Sequence, residues 1–232
     1  RTRAFRAVEQ DDLRRSYLQH NLTASGCPAI EVQGGDGLTL VAGAEVIYAD
    51  PARRNAKGRQ WHDLAPDPTH LWKLGLPCCL KLSPGLDESH LPDGCDLDYV
   101  SHQGVCKEAT VWTPGRGRVR ALQYRAGDWL VAERRQPPPV AALEPGMWLH
   151  EPDPAAIRAQ IWLPLKGWRI DETLALLATP PGLDSEWTQA FEVLEIADAD
   201  RKNLIRLQKQ YDFQPLEIKK RGFEVEPEEL RK

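Results

Sequence analysis

The stretch Glu45-Val46-Ile47-Tyr48-Ala49-Asp50-Pro51-Ala52-Arg53-Arg54 carries an apolar run of buried-strand length into an abrupt Asp-Pro stop. A continuous apolar run, rather than a polar alternation, belongs to a strand covered on both faces, as in a parallel sheet flanked by helices. Proline restrains its own φ and the residue before it, so the strand ends with the Asp50 carboxylate fixed in direction. Upstream, Phe5-Arg6-Ala7-Val8 is closed by Glu9, and Asp11 to Asn21 carries Leu13, Tyr17 and Leu18 at helical spacing, with Asp11 or Asp12 as the cap. Ile30-Glu31-Val32 is a further short strand before the turn Gly34-Gly35-Asp36-Gly37, and downstream Pro77 to Leu82 repeats the apolar run and stops at Ser83-Pro84-Gly85. These β/α units predict an α/β fold built on a Rossmann-like sheet.

Leu97 to Ser101 and Glu108 to Thr113, separated by His102-Gln103-Gly104, read as an antiparallel hairpin at the edge of that sheet. Gln136-Pro137-Pro138-Pro139 interrupts the pattern, because consecutive prolines join neither a helix interior nor a central strand. The expected organisation is therefore a first domain over residues 1–135, a proline-rich linker over 136–145 and a small α+β domain over 146–232. Within the last, Asp171 to Leu177 and Asp200 to Gln210 are helix candidates, the second with Leu204, Leu207 and Tyr211 on one face, and Leu216-Glu217-Ile218 reads as a strand.

The 232 residues hold 30 Lys plus Arg against 34 Asp plus Glu, a net charge of -4 that gives no global pull toward polyanions. Locally, Arg116 to Arg135 holds six arginines against Asp128 and Glu133, which fits either a polyanion contact or a solvated arginine-rich surface. No run reaches the roughly 18 apolar residues of a membrane span, and no leader pattern opens the chain. The five cysteines form no CxxC pair and the six histidines no HxxxH or HExxH pair, so the expectation is reduced thiols, no metal and a cytoplasmic location. Trp112, Trp148 and Trp162 sit in apolar surroundings and are expected in the core. The chain opens with Arg1 and its single methionine is Met147, so residues are expected upstream.

In open α/β sheets ligands bind outside the carboxyl ends of the strands. Three acids stand at successive strand ends here: Glu9, where a ribose-binding acid would lie, Asp36, where an adenine amine could be read, and Asp50. Asp50 could accept a hydrogen bond from a substrate amine while Arg53 or Arg54 contacts a phosphate; a plain strand-exit turn is the alternative. Lys81, Ser83 and Asp87 follow the next strand, where a substrate wall could form, although residue by residue a capped turn is the simpler reading. Lys219, Lys220 and Arg221 could grip an RNA phosphate or neutralise the nearby glutamates.

These residues resemble the class I S-adenosylmethionine-dependent methyltransferases. The matching pieces are Ala7-Val8-Glu9, Gly35-Asp36 and Asp50-Pro51-Ala52-Arg53-Arg54. The last is similar to the Asp/Asn-Pro-Pro-aromatic signature of amino-methylating enzymes, or to the Asp-Pro-Pro-Arg form of uracil-5 RNA methyltransferases, with Ala52 in place of the second proline. Lys81-Leu82-Ser83-Pro84-Gly85-Leu86-Asp87, Trp148-Leu149-His150-Glu151-Pro152-Asp153 and Glu217-Ile218-Lys219-Lys220-Arg221-Gly222 resemble a bacterial subgroup with a C-terminal domain similar to the RNA-binding THUMP module. The resemblance implies S-adenosylmethionine as cofactor, bound by Glu9, Gly35 and Asp36, and Asp50 with Pro51 as the catalytic element. It also implies RNA as substrate, held by Arg53, Arg54, Lys81, Ser83, Lys219, Lys220 and Arg221. The family's glycine-rich cofactor loop would precede Glu9 by about 20 residues, more than the chain has there. Two other functions stay open: a non-catalytic RNA-binding protein on a degenerate methyltransferase fold, and a small-molecule methyltransferase.

Overall fold

The computed structural model describes residues 4–53, 64–162, 167–212 and 219, and the chain divides into two compact units, residues 1–133 and 134–232. Strand β1 (Arg6–Glu9), helix α1 (Asp12–Ala24) and strand β2 (Glu31–Gly34) form a parallel βαβ unit in which Glu9 lies opposite Gly34. Asp11 starts the helix by accepting the Arg14 N–H at 2.8 Å, the capping expected from the sequence. The helix ends because Gly26, at φ +75°, turns the chain so that the Gly26 and Cys27 N–H groups reach back to Thr23 and Leu22. Leu13 and Tyr17 face solvent rather than a core.

The other strands of the first unit do not extend this pair, as a single doubly wound sheet would require. They build a separate six-stranded sheet from β3 (Ile47–Ala49), β6 (Cys78–Leu82), β7 (Asp96–His102), β8 (Val105–Thr113), β9 (Val119–Arg125) and β10 (Asp128–Glu133). The order is β10-β9-β7-β8-β6-β3, and the strands β4 (Ala52–Arg53) and β5 (Leu64–Ala65) form a small antiparallel pair beside it. β3 runs parallel to β6, β8 is antiparallel to both β6 and β7, and β9 is parallel to β7. The carboxyl ends of β3, β6, β7 and β9 thus share one edge. The hairpin read from the sequence is present, but β7 and β8 are the two central strands rather than an edge, because β9 and β6 pair on either side of them. It turns at Gln103 (φ 51°) and Gly104 (φ 71°), the left-handed pair that a two-residue turn matched to strand twist requires.

One face of this sheet is the core. Leu80, Leu97, Tyr99, Ala109, Val111 and Ala121 are all at most 2% exposed, with Leu71 of helix α2 (Pro68–Lys73) buried as well. Asp67 caps α2 by accepting the Thr69 N–H, and Pro68 occupies the first turn, where its missing N–H costs nothing. The opposite face carries Tyr48, Trp112, Tyr124, Trp129 and Val131, each at least 38% exposed. Trp112 therefore lies outside the core, and its ring N–H donates to Asp98 at 2.9 Å.

In the second unit, β11 (Trp148–Pro152) is flanked by β13 (Leu177–Thr179) and β14 (Thr188–Glu192), with β12 (Trp168–Arg169) outside β13, all antiparallel. Helix α3 (Pro154–Ala159) buries Ala155, Ala156 and Ala159, and helix α4 (Arg201–Tyr211) forms where the sequence predicts one, with Asp200 as its cap. No helix forms over 171–177. Asp171 instead holds a turn through the Thr173 N–H and hydroxyl, and Leu177 enters the buried strand β13. The proline-rich segment packs on this unit: the carbonyls of Pro138 and Pro139 accept from the Arg169 side chain and backbone N–H, and Val140 bridges to Arg169. The strand expected at Leu216 to Ile218 lies outside the described residues.

Candidate active site

Asp50 follows β3, and Lys81 is the fourth residue of the neighbouring β6, whose Leu80 pairs with Ala49. This register brings the Lys81 Nζ to 3.1 Å from Asp50 Oδ2, and the same ammonium lies 3.9 Å from Glu108 Oε2 on β8. Lys81 pairs with Thr110, two residues from Glu108, so all three charged groups share the exposed face. The hydrogen bond to Asp50 and the charge of Asp50 hold the Lys81 ammonium more firmly protonated than a free lysine. Pro51 is buried and anchors the strand exit, leaving Asp50 partly exposed. Partial burial first, and the Asp50 charge second, raise the Tyr48 phenol, which stays neutral at physiological pH. Cys79 is pushed up to about 11, by burial foremost and then by Cys78, so it is an inert thiol rather than a nucleophile.

The second group sits on the β1-β2 pair. Glu9 Oε1 accepts the Asp11 N–H at 2.9 Å, and the Glu9 backbone carbonyl accepts the Gly35 N–H at 3.4 Å. Gly35 has φ +142°, a conformation that favours glycine, and a Cβ there would collide with Leu40. Asp36 Oδ1 accepts the Leu38 N–H at 2.9 Å, a local turn contact. Glu9, Gly35 and Asp36 are thus gathered at the carboxyl ends of β1 and β2, while Asp50 and Lys81 are gathered at the carboxyl end of β3 and β6. Among the described residues no hydrogen bond or ion pair joins the two groups.

Other expected site residues are more dispersed. Arg53 closes the short strand β4, and Ser83 Oγ receives the Gly85 N–H at 3.4 Å in the turn after β6. Lys219 makes a short ion pair with Glu151 and lies 5.0 Å from the Phe191 ring centroid, so two motifs far apart in sequence are tied together in the second unit. Arg54, Lys220 and Arg221 lie outside the described residues. Of the six arginines between 116 and 135, Arg118 and Arg120 are engaged as bidentate partners of the buried Asp96 and Asp98. The alternation Asp96-x-Asp98 against Arg118-x-Arg120 was the available signal for these pairs, since β7 and β9 place Asp98 directly beside Arg120. Glu108 could have been found only from the β6-β8 register. Among the described residues no group of three His, Cys, Asp or Glu is placed to hold a metal, and no helix is long and apolar enough to cross a membrane.

Residues 188–232 match a family described as THUMP domain-like. Over 99% of its length, the chain is 29% identical to proteins described as uncharacterized S-adenosylmethionine-dependent methyltransferases in two strains of Mycobacterium tuberculosis, and covers 67% of them. A crystal structure of a candidate methyltransferase from Porphyromonas gingivalis superposes with a TM-score of 0.74 over 97% of this chain at 22% sequence identity. The chain spans 63% of that solved chain's length.

Proposed function

A relative of S-adenosylmethionine-dependent methyltransferases with a THUMP-like C-terminal segment, this chain belongs, we propose, to a cytoplasmic enzyme that methylates a base in RNA. The observation that carries the reading is the Asp50-Lys81 pair, a carboxylate held at the carboxyl edge of the sheet, where α/β folds bind their ligands. The THUMP-like match supports RNA as the substrate.

The residues present fit the cofactor. Glu9 spends Oε1 on the Asp11 N–H, and among the described residues its Oε2 has no partner, leaving an acceptor for ribose hydroxyls. Asp36 would accept from the adenine amine and Gly35 would let the cofactor approach the backbone. When bound, S-adenosylmethionine supplies an electrophilic methyl on its sulfonium sulfur. Asp50 accepts a hydrogen bond from the target amine through Oδ2, aiming the nitrogen lone pair at that methyl. As the amine arrives, the Lys81 ammonium moves its weight toward Glu108, which keeps the cation partnered and leaves Asp50 ionised. Pro51 keeps the carboxylate from swinging out of line.

Transfer of tritiated methyl groups to RNA by the intact protein tests this reading. Incorporation into RNA, with binding that weakens as salt rises, supports it. Incorporation only into small amines, with no RNA retained at low salt, overturns the RNA assignment.

A further inference from the structure

From the geometry we propose that the cross-strand row His102, Tyr124 and Trp129 is a stacking platform for the single-stranded part of an RNA substrate, an inference that rests on the nucleic-acid reading above. Strand pairing sets His102 beside Tyr124, and Tyr124 beside Trp129, so the three rings share one face of the six-stranded sheet. Their ring centroids are 5.6 Å apart for His102 and Tyr124 and 5.1 Å for Tyr124 and Trp129, with interplanar angles of 49° and 53°. Tyr124 and Trp129 are 38% and 49% exposed, so ring surface of both is open to solvent.

Two further observations select the occupant. The row lies at the carboxyl ends of β7 and β9, the same edge as Asp50, and on the same face as Lys81 and Glu108. Three strand spacings separate β6 from β9, roughly 14 Å along the sheet, a distance that a few nucleotides of single strand can bridge. An exposed cation near it also suits a phosphate backbone: Lys107 stands in the bulge of β8, next to the hairpin turn that follows His102. Asp128, the acid beside Trp129, is engaged with the Trp129 N–H. Base stacking needs a π face and a neighbouring positive charge, and does not need a sequence-specific hydrogen-bond pattern. A row of this kind therefore positions a strand without selecting the base to be methylated.

Binding of a fluorescein-labelled single-stranded 12-nucleotide RNA to the intact protein, followed by anisotropy, tests the proposal. Tyr124→Ala and Trp129→Ala should each weaken binding by about tenfold, the loss expected for one stacked base. Tyr124→Phe and Trp129→Phe keep a π face and should stay within about twofold of the parent. Equal affinity of the parent and both alanine variants would overturn the platform while leaving RNA as substrate. Equal losses in the phenylalanine and alanine variants would overturn it as well, since folding rather than stacking would then be failing. Absence of RNA binding by the parent would overturn the RNA reading, and the platform with it. Dissociation of a dimer by the alanine variants, seen in sedimentation without a change in RNA affinity, would assign the row to a protein contact instead.

Discussion

Replacing Asp96 by alanine removes the buried acceptor on which the β8-β9 connection closes. Its Oδ1 accepts the backbone N–H groups of Arg116 at 2.7 Å and Arg118 at 3.0 Å, and its Oδ2 accepts a bidentate pair from the Arg118 guanidinium. Gly115 packs so closely over the Asp96 backbone that a Cβ would collide with it, so the loop cannot move in to replace the lost contacts. Two charge-assisted bonds from backbone donors, at the lower end of roughly 1.5–3 kcal/mol each, give a loss of about 3 kcal/mol for Asp96→Ala. Arg118 is nearly half exposed and rehydrates, so its ion pair adds little to that figure. Asp96→Asn keeps an acceptor for the two backbone donors and should cost about 1 kcal/mol. Urea denaturation should show a lower midpoint at unchanged slope, and hydrogen exchange should lose protection at the Arg116 and Arg118 amides. The Arg118 guanidinium first, then the backbone N–H groups, hold the Asp96 carboxyl well below the usual range. Its contribution is therefore complete above the unfolded value of about 3.9 and is lost as pH falls through the folded value. The gap between parent and Asp96→Ala should be constant from pH 8 to 5 and narrow in stronger acid. An Asp96→Ala variant within about 0.5 kcal/mol of the parent, with both amides still protected, would refute this reasoning.

His150 is fully buried on the central strand β11, with one ring nitrogen 2.9 Å from the Thr179 hydroxyl and the other 3.0 Å from that of Thr188. Burial lowers its pKa, so the unfolded chain takes up the proton first, and stability of the second unit should fall as pH drops below about 6.5. Thermal melts from pH 8 to 5 should lose that component in His150→Asn. Glu9→Ala should weaken S-adenosylmethionine in calorimetric titration before it lowers kcat, because Glu9 Oε2, without a partner among the described residues, is the acceptor proposed for the ribose hydroxyls. Lys81→Met removes a half-exposed ion pair worth about 0.2–1 kcal/mol, so the melting temperature should barely change while kcat falls through loss of Asp50 alignment. An unchanged kcat would leave Lys81 a surface charge.

Much of the first unit was legible because local chemistry and tertiary demand agree there. Asp11 caps α1, Asp50-Pro51 ends β3, and Gln103-Gly104 turns the hairpin, each for a reason contained in a few adjacent residues. The segment 171–177 reads as a helix because Asp171 caps a turn with the same side-chain geometry that starts a helix, and an apolar run such as Leu174 to Leu177 suits helix and strand alike. The arginines of 116–135 could not be assigned from composition, since only the β7-β9 register reveals that Asp96 and Asp98 engage two of them. Trp112 was misplaced for a related reason: its apolar neighbours in sequence point to the opposite face of β8. The strand ends carrying Glu9, Asp36 and Asp50 were readable one by one, whereas their division between two sheets was not, because strand pairing is a long-range property.

The most direct test is Asp50→Ala in the intact protein, assayed for methyl transfer and titrated with S-adenosylmethionine in parallel. Transfer should be abolished while cofactor affinity stays within about twofold of the parent, since among the described residues Asp50 pairs with Lys81 and shares no hydrogen bond with Glu9 or Asp36. Sustained turnover in this variant would contradict the central claim.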